Sequence, residues 1–312
     1  FAYQDLIDAG RTLGPRAFST GRGVFSDNDF QSLEQAKGIL ERYRDHYRTP
    51  NIKAYISGTR EQRHWIAQAA AELGMMPTTE GSLDLKLDLT HAIDGFAGNE
   101  HALPIVPLFE DVVELYAQSR IGYTPTLLVA YGGPFAENHF FVSEEVHDRP
   151  KVRRFIPHDI VDAKTRKRDW FRDDAHIYPQ LAAQAAKILR AGGLVGVGAH
   201  GQLQGLGYHW ELWALAAGGL SPLEALRAAT WVGAEIIGRQ GDLGSLEPGK
   251  KADLVVLEGD PLADIRNTDS VRWVVKNGEV FEGETLDQIW PQREPLPELW
   301  WWQAEPAPNT AR

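Results

Sequence analysis

The chain has 312 residues, 43% of them hydrophobic and 24% charged, with a formal net charge of -11. These values fit one large α/β domain or two smaller ones, and the acidic balance disfavours nucleic acids and anionic membranes as partners. The sequence has no cysteine, which excludes disulfides and thiolate metal sites. No apolar run approaches the roughly 18–20 residues that span a bilayer. The first residues, Phe1 to Gln4, show neither a starting methionine nor a signal pattern, so we expect them to lie within a longer, processed or truncated chain.

Strand and helix patterns alternate along most of the chain, which predicts an α/β fold with parallel strands. Strands are predicted near residues 15, 52, 76, 98, 125 and 196, and helices at 3–10, 30–47, 59–73, 108–119 and 178–191. The segment Thr59-Arg-Glu-Gln62 predicts a capping box at the start of its helix.

Residues 131–176 interrupt this alternation. They are rich in proline, charge and aromatic side chains, and they include four of the ten histidines. This composition predicts a long inserted loop with short helices. Inserted loops of this length are uncommon unless they carry function, for example as a lid.

The pattern changes again after Ile237. Residues 252–258 and 271–282 are β-branched runs, and Lys276-Asn-Gly-Glu279 predicts a two-residue hairpin turn. We therefore expect three parts: a main α/β part at 1–237, a small β-subdomain at 238–290, and a Pro- and Trp-rich tail at 291–312 that packs loosely or meets a partner.

Four motifs in the second half carry a family resemblance. They are Gly196-Val-Gly-Ala-His-Gly201, Ser221-Pro-Leu-Glu-Ala-Leu-Arg-Ala-Ala-Thr230, Leu243-Gly-Ser-Leu-Glu-Pro-Gly-Lys250 and Ala252-Asp-Leu-Val-Val-Leu-Glu258. This succession resembles the last barrel strand, the last helix and the return into a β-sandwich of the amidohydrolase superfamily. The most similar branch contains imidazolonepropionase-like and Xaa-Pro dipeptidase-like proteins, and the resemblance covers roughly residues 8–290.

The resemblance implies a (β/α)8 TIM-type barrel in residues 1–237, with strands three to eight present in this chain, and part of a small β-sandwich. A closed barrel needs eight strands, and six would leave two open edges. We therefore expect the barrel to be completed by a missing N-terminal segment, by a second chain or swapped copy, or by a strand rearrangement. A homo-oligomer is the expected state.

Reacting groups of such barrels lie at the carboxyl ends of the strands, which selects Lys53, Glu80, His101 and His200. A lysine within an apolar strand is costly unless it is paired, neutral or modified. Lys53 is thus expected either to pair with Glu80 or, as the resemblance implies, to be carbamylated and bridge two metal ions. Glu80 is either a metal ligand or a carboxylate at a loop start.

His101 is predicted to be a metal ligand, since neutral imidazole suits zinc and similar ions, or else to be hydrogen-bonded in the barrel mouth. His200 stands where the resemblance implies an aspartate, and it is expected to act as a general base or as a ligand. Two other family features are absent: the chain has no His-x-His, and the strand before Glu80 does not end in histidine. A complete binuclear site is therefore not expected within this chain alone.

Tyr131, His139 and His209 are predicted to contact substrate, although His209 could instead pack within the fold. Trp210 and Trp213 are three residues apart on a helix, which favours core packing. The glycines between 196 and 207 do not have nucleotide-binding spacing, and no Gly-x-Ser-x-Gly elbow of serine hydrolases is present.

The function implied by the resemblance is metal-assisted hydrolysis of a C–N bond in a cyclic amide, a small amide or a small peptide. The implied cofactor is a divalent metal, one or two zinc ions, with Lys53 carbamylated. The alternative is a catalytically silent module, or one half of a split protein, that serves in binding or assembly. The absent motifs favour the alternative, whereas polar residues at four strand ends favour the hydrolase.

Overall fold

The computed structural model describes residues 1–25, 29–81, 83–166 and 168–303. It contains a five-stranded parallel sheet of order β1-β2-β3-β4-β5 and a four-stranded antiparallel sheet of order β6-β7-β8-β9. The parallel strands are β1 (Asn51–Lys53), β2 (Met76–Glu80), β3 (Gly98–Glu100), β4 (Gly122–Thr124) and β5 (Leu194–Val195). The antiparallel strands are β6 (Leu254–Leu257), β7 (Val271–Lys276), β8 (Glu279–Glu282) and β9 (Gln288–Trp290).

Twelve α-helices within the described ranges lie before, between and after the parallel strands along the chain. They are α1 (Ala2–Asp8), α2 (Leu33–Arg42), α3 (Arg60–Leu73), α4 (Leu85–Asp94), α5 (Glu110–Ser119), α6 (Ala136–Ser143), α7 (Pro150–Phe155), α8 (His158–Thr165), α9 (Tyr178–Arg190), α10 (Leu206–Ala217), α11 (Pro222–Arg227) and α12 (Gly233–Ile236). Within the described ranges, none of these helices has the length and apolar character needed to cross a bilayer.

Side-chain caps fix where two of these helices begin. Before α3, Thr59 accepts a hydrogen bond from the Gln62 backbone and the Gln62 side chain accepts one from the Thr59 backbone, which confirms the predicted capping box. Ser221 and Glu224 form the same arrangement before α11. Each box satisfies N–H groups that the first helical turn leaves without partners.

The predicted strand at residues 15–19 is not a strand in the structure. Other groups bind this segment: the Arg16 guanidinium forms two hydrogen bonds to Asp253, at 2.6 and 3.0 Å, and Lys276 donates to the Gly14 carbonyl. Further along, the Val24 N–H donates to the Lys53 carbonyl on the outer edge of β1. The N-terminal arm thus runs beside β1 and contacts the antiparallel sheet, and the parallel sheet has five strands where six were predicted.

Two other predicted strands are shorter than expected. The strand predicted near residue 125 ends at Thr124, because Thr126 has a φ of 51° and a single 3₁₀ turn follows at Leu127–Val129. The last strand, predicted near residue 196, has ladder pairing only at Leu194–Val195. The segments that follow these two strands are therefore irregular, and their side chains do not have to alternate between the faces of the sheet.

The insert at 131–176 is largely helical and is tied to the C-terminal part by charge. It contains α6, α7, α8 and 3₁₀ turns at Val146–Asp148 and Asp173–Ala175. The buried carboxylate of Glu144 pairs with Arg149 and Arg266, and Arg149 also lies 2.7 Å from Asp269. The insert therefore packs as an ordered unit against the segment that precedes β7.

The predicted hairpin turn is confirmed: Asn277 and Gly278 have φ values of 54° and 83° and join β7 to β8. Both positions need the left-handed region, which explains the Asn-Gly pair. In the tail, Trp301 and Trp302 donate their indole N–H groups to the Arg154 carbonyl. The rest of the predicted tail, 304–312, lies outside the described residues.

Candidate functional site

The strand register brings a set of polar side chains to one face of the parallel sheet. Lys53 pairs with Thr78 across β1 and β2, Glu80 pairs with Glu100 across β2 and β3, and Glu100 pairs with Thr124 across β3 and β4. Side chains two residues apart on a strand point to the same face. These polar groups therefore line one surface at the carboxyl ends of four neighbouring strands.

Lys53 and Glu80 form an ion pair on this surface. The Lys53 Nζ atom lies 3.1 Å from Glu80 Oε1, and both side chains are about three-quarters buried, at 21% and 27% exposure. The Tyr55 ring lies beneath the same ammonium, with 5.2 Å between Nζ and the ring centroid. The structure thus realises the pairing that was one of the two predicted states of Lys53.

Glu100 is a site residue that the sequence analysis missed. Its carboxylate accepts hydrogen bonds from the hydroxyls of Thr78 on one side and Thr124 on the other. A β-carbon at Gly98 would come within 2.8 Å of the Thr78 hydroxyl, so glycine leaves room for this arrangement. The signal that could have found Glu100 is its position two residues after Gly98, on the face that also carries Glu80.

His101 and His200 meet beyond the strand ends. Their ring centroids are 5.4 Å apart with 58° between the ring planes. Both backbones are in the left-handed region, with φ values of 70° and 55°, which is uncommon for residues other than glycine. The His101 N–H donates to the Thr124 carbonyl at 2.8 Å, which fixes the turn after β3. Such conformations concentrate at functional sites.

His101 is poised to be a neutral imidazole. Burial lowers the pKa of His101, with the nearby charges of His200 and Lys53 acting in the same direction and Glu80 and Glu100 opposing them. Its Nδ1 atom is buried without a hydrogen-bond partner among the described residues. A neutral ring with an unpartnered nitrogen has the chemistry of a metal ligand.

The spacing of the acidic and histidine ligand atoms is wider than a compact metal centre requires. Within the part of the chain that the structure describes, the group of three His, Asp or Glu ligand atoms that all lie within 4.8 Å of one another is found in the insert, at His147, His158 and Asp162. Glu80, His101 and His200 do not form such a group. The donor types here suit a borderline divalent cation, but side-chain rotation or a further ligand is needed to close the site.

The three residues predicted to bind substrate have their main contacts elsewhere. Tyr131 is exposed and packs edge-on against Phe135. The centroid of the His139 ring lies 5.6 Å from that of His176, and both residues belong to the insert. His209 is 3.2 Å from the Thr268 hydroxyl, the packing role that was its alternative. Their roles toward substrate stay a prediction.

Two buried carboxylates form hydrogen bonds to residues of β3 and of the turn after β4. Asp88 on α4 accepts from the Asn99 amide, which also donates to the Tyr116 hydroxyl at 2.6 Å, and burial raises the pKa of Asp88 to about 7. Glu211 on α10 accepts from the backbone N–H groups of Leu127 and Leu128, at 2.7 and 3.0 Å. Glu211 thereby holds the turn that follows β4.

Part of this chain is similar in sequence to known hydrolases and to a known protein family. Residues 183–281 match the model of the amidohydrolase family. A stretch of 74 residues is 40% identical to ochratoxinase from Aspergillus niger, covering 22% of this chain and 15% of that protein. A stretch of 68 residues is 40% identical to imidazolonepropionase from Geobacillus thermodenitrificans strain NG80-2, covering 21% of this chain and 16% of that protein.

Solved structures extend the similarity to most of the chain. A Xaa-Pro dipeptidase with bound methionine superimposes with a TM-score of 0.64 at 21% identity, covering 90% of this chain and 71% of that one. A bottromycin amidohydrolase gives 0.64 at 17% identity, covering 91% and 68%. The predicted resemblance to the amidohydrolase superfamily is thus confirmed, by sequence over the C-terminal third and by its TIM-barrel-like α/β fold over the chain. The aligned segments span only about one-sixth of the length of these two relatives.

Proposed function

We propose that this chain carries the active-site face of a metal-dependent hydrolase that cleaves C–N bonds in amides, cyclic amides or small peptides. The observation that supports this most is the convergence of Lys53, Glu80, Glu100 and the His101–His200 pair at the carboxyl ends of the parallel strands. Reacting groups gather at that edge in (β/α)8 enzymes. The names of the similar proteins, a dipeptidase and amidohydrolases, agree with C–N bond hydrolysis.

In this proposal each side chain has a role that fits its surroundings. His101 and Glu80 hold the metal, and His101 does so through a ring that burial keeps neutral. When bound, a divalent metal such as zinc polarises the substrate carbonyl and lowers the pKa of water. His200, which is exposed beside His101, takes a proton from the attacking water and passes it to the leaving nitrogen.

Lys53 has two states in the proposal. As an ammonium it neutralises Glu80, and as a carbamate it would provide a further ligand for one or two zinc ions. Completion of the barrel by a further N-terminal segment or a second chain would provide the ligands that this chain does not, and a homo-oligomer is part of the same proposal. Tyr131 and His139 of the insert remain candidates for contact with a small-molecule or small-peptide substrate.

A catalytically silent role is the second candidate, and one observation favours it. Lys53 forms an ion pair with Glu80. The ligand atoms of Glu80, His101 and His200 also do not all lie within 4.8 Å of one another. A protein of this kind would keep the fold and use the same surface for binding or assembly.

Metal content separates the two candidates. Zinc per chain is measured by elemental analysis after dialysis against Zn²⁺, for the native chain and for the His101→Ala and His200→Ala variants. The exposed residue His46 lies on the π turn after α2, and His46→Ala is the matched control. The hydrolase proposal expects His101→Ala to bind less zinc than the native chain, because His101 is a metal ligand, and expects His200→Ala and the control to keep the native amount.

Equal zinc in all four proteins, with circular dichroism unchanged, would overturn the metal site at His101 and favour the silent role. Where zinc is lost as expected, hydrolysis of dipeptides and cyclic amides is tested next. His200→Ala should lower kcat by roughly 100-fold or more, since removal of a general base typically costs that much.

A further inference from the structure

A second set of ligand-type side chains lies within the insert, away from the strand ends. His147 projects from the 3₁₀ turn at Val146–Asp148, and His158 and Asp162 lie four residues apart on α8. Residues spaced by four share one face of a helix. One ligand atom from each of the three side chains lies within 4.8 Å of the other two.

The distances are close to those of a coordinated cation. His158 Nε2 is 3.6 Å from Asp162 Oδ1, and His147 Nε2 is 4.0 Å from the same oxygen. In a tetrahedral zinc site with bonds of about 2.0–2.2 Å, ligand atoms are roughly 3.3 Å apart. The two contacts to Asp162 therefore need to shorten by less than about 1 Å, which side-chain rotation provides.

Two of the three side chains, His147 and His158, line a small cavity. The cavity has a volume of about 20 Å³ and is lined by His147, Val152, Arg153, Ile156, His158 and Val161. A volume of roughly 10–15 Å³ is enough for one water molecule. Val152, Ile156 and Val161 are buried and His158 is exposed, so an ion would enter beside His158.

Neighbouring charges leave Asp162 free to coordinate. Arg166 lies 3.4 Å from the second oxygen, Oδ2, so Oδ1 is the atom directed at the two histidines. Arg153, the cation beside the cavity, pairs with Asp148 at 2.7 Å. The Thr165 hydroxyl lies 2.9 Å from His147 Nε2, the same nitrogen that faces Asp162, so this contact would be exchanged for the ion on binding.

We propose that His147, His158 and Asp162 form a binding site for Zn²⁺ or a similar borderline divalent cation, with water in the fourth position. Two imidazoles and one carboxylate form a donor set that such ions prefer. The ion joins the turn at 146–148 to α8 and closes the intervening α7 into a short loop. The site shares no residue with the candidate active site, so it stands whether or not the proposed hydrolase is correct.

An ion bound by these three residues would have a structural role. The carbonyl of Arg154 on α7 accepts hydrogen bonds from Trp301 and Trp302, and Arg154 stacks 4.3 Å from the Trp302 ring. Fixing α7 between the turn and α8 would hold this docking point for the C-terminal tail. Metal binding therefore orders the insert and not the strand ends.

Hydrogen exchange followed by mass spectrometry on the full chain tests the proposal with Zn²⁺ as the probe. We expect saturating zinc to slow exchange in residues 146–165 of the native protein. His158→Ala and Asp162→Asn should lose this protection and one bound zinc per chain. His158 is exposed, with 60% of its side chain accessible, so its removal should leave the fold intact.

Two controls make the result specific. His46→Ala removes an exposed histidine elsewhere and should keep the zinc-dependent protection. His101→Ala alters the candidate active site and should keep it too. Protection of 146–165 that persists in both His158→Ala and Asp162→Asn would overturn the proposal, as would native protein in which zinc leaves exchange in 146–165 unchanged.

Discussion

Lys53 Nζ and Glu80 Oε1, at the carboxyl ends of neighbouring parallel strands, are 3.1 Å apart. The pair neutralises two charges in a partly buried place where either one alone would be costly. It also makes the chemical state of Lys53 depend on what else binds there.

Carbamylation of Lys53 is expected to require a divalent metal. A carbamate would replace the ammonium with an anion beside Glu80, and two adjacent anions repel unless a cation lies between them. With ¹³C-bicarbonate, we expect a carbamate signal by carbon NMR in the presence of Zn²⁺ and none after chelation. Lys53→Arg should abolish the signal, whereas Lys37→Arg, which alters another Lys–Glu pair, should not. A signal of equal size without metal would contradict this mechanism.

The threonine hydroxyls that hold Glu100 are expected to stabilise the sheet edge. Thr124→Val and Thr78→Val should each lower the free energy of unfolding by about 1–2 kcal/mol, since each removes a hydrogen bond to a carboxylate. Urea denaturation provides the measurement. In a Glu100→Gln background the loss should shrink, and Thr12→Val, on the exposed N-terminal arm, should have little effect. Equal losses in both backgrounds would mean that Glu100 is not the partner that matters.

Stability is expected to fall as pH rises toward 8 because of Glu211. Burial raises the pKa of this fully buried carboxyl to about 8, against the lowering effect of its bonds from Leu127 and Leu128. The raised pKa means that the folded state holds a proton that the unfolded state has released, so the contribution is present at low pH and is lost as pH rises through 8. Its limiting slope is about 1.4 kcal/mol per pH unit.

The interval between pH 7 and 8 isolates this group. Asp88 contributes in the same direction only up to about pH 7, and His91, whose pKa burial lowers to about 4, contributes in the opposite direction below 6.5. Glu211→Gln should therefore flatten the dependence of the unfolding free energy on pH between 7 and 8. The exposed Glu279→Gln is the control, and an unchanged slope in Glu211→Gln would refute the assignment.

Gly81 is expected to tolerate no side chain. A β-carbon there would lie 2.0 Å from Asp88 Oδ1, so Gly81→Ala should destabilise the protein by about 1–3 kcal/mol through overpacking. Gly38→Ala, in the exposed middle of α2 with open space around it, should stabilise by about 0.5–1 kcal/mol. Thermal unfolding compares the two. The cost of Gly81→Ala should fall in an Asp88→Ala background; a cost that does not fall would exclude the clash as its cause.

Helices and turns with local signals were predictable from the sequence. The capping box at Thr59 and the turn at Asn277–Gly278 depend on residues close together in the chain, and both are confirmed. The strand predicted at 15–19 is wrong because its partners are remote: Arg16 is bound by Asp253, 237 residues away. Propensity within a short window contains no information on such a partner.

The candidate site was predictable as a set of strand ends but not as a geometry. Lys53, Glu80, His101 and His200 were all selected, and the alternation of β3 could have added Glu100. The Lys53–Glu80 pairing was one of two predicted states. His101 and His200 both lie in turns with positive φ, which hydrophobic periodicity does not encode.

The ion pair between Arg16 and Asp253 has a consequence for the order in which the chain folds during synthesis. During synthesis the N-terminal arm leaves the ribosome long before Asp253 and Lys276, the residues that bind it, have been translated. The arm must remain unattached until the antiparallel sheet has emerged, since domains assemble in the order in which their segments become available. Docking of residues 14–16 is therefore a late event in the assembly of this protein, because it must wait until Asp253 and Lys276 have been translated.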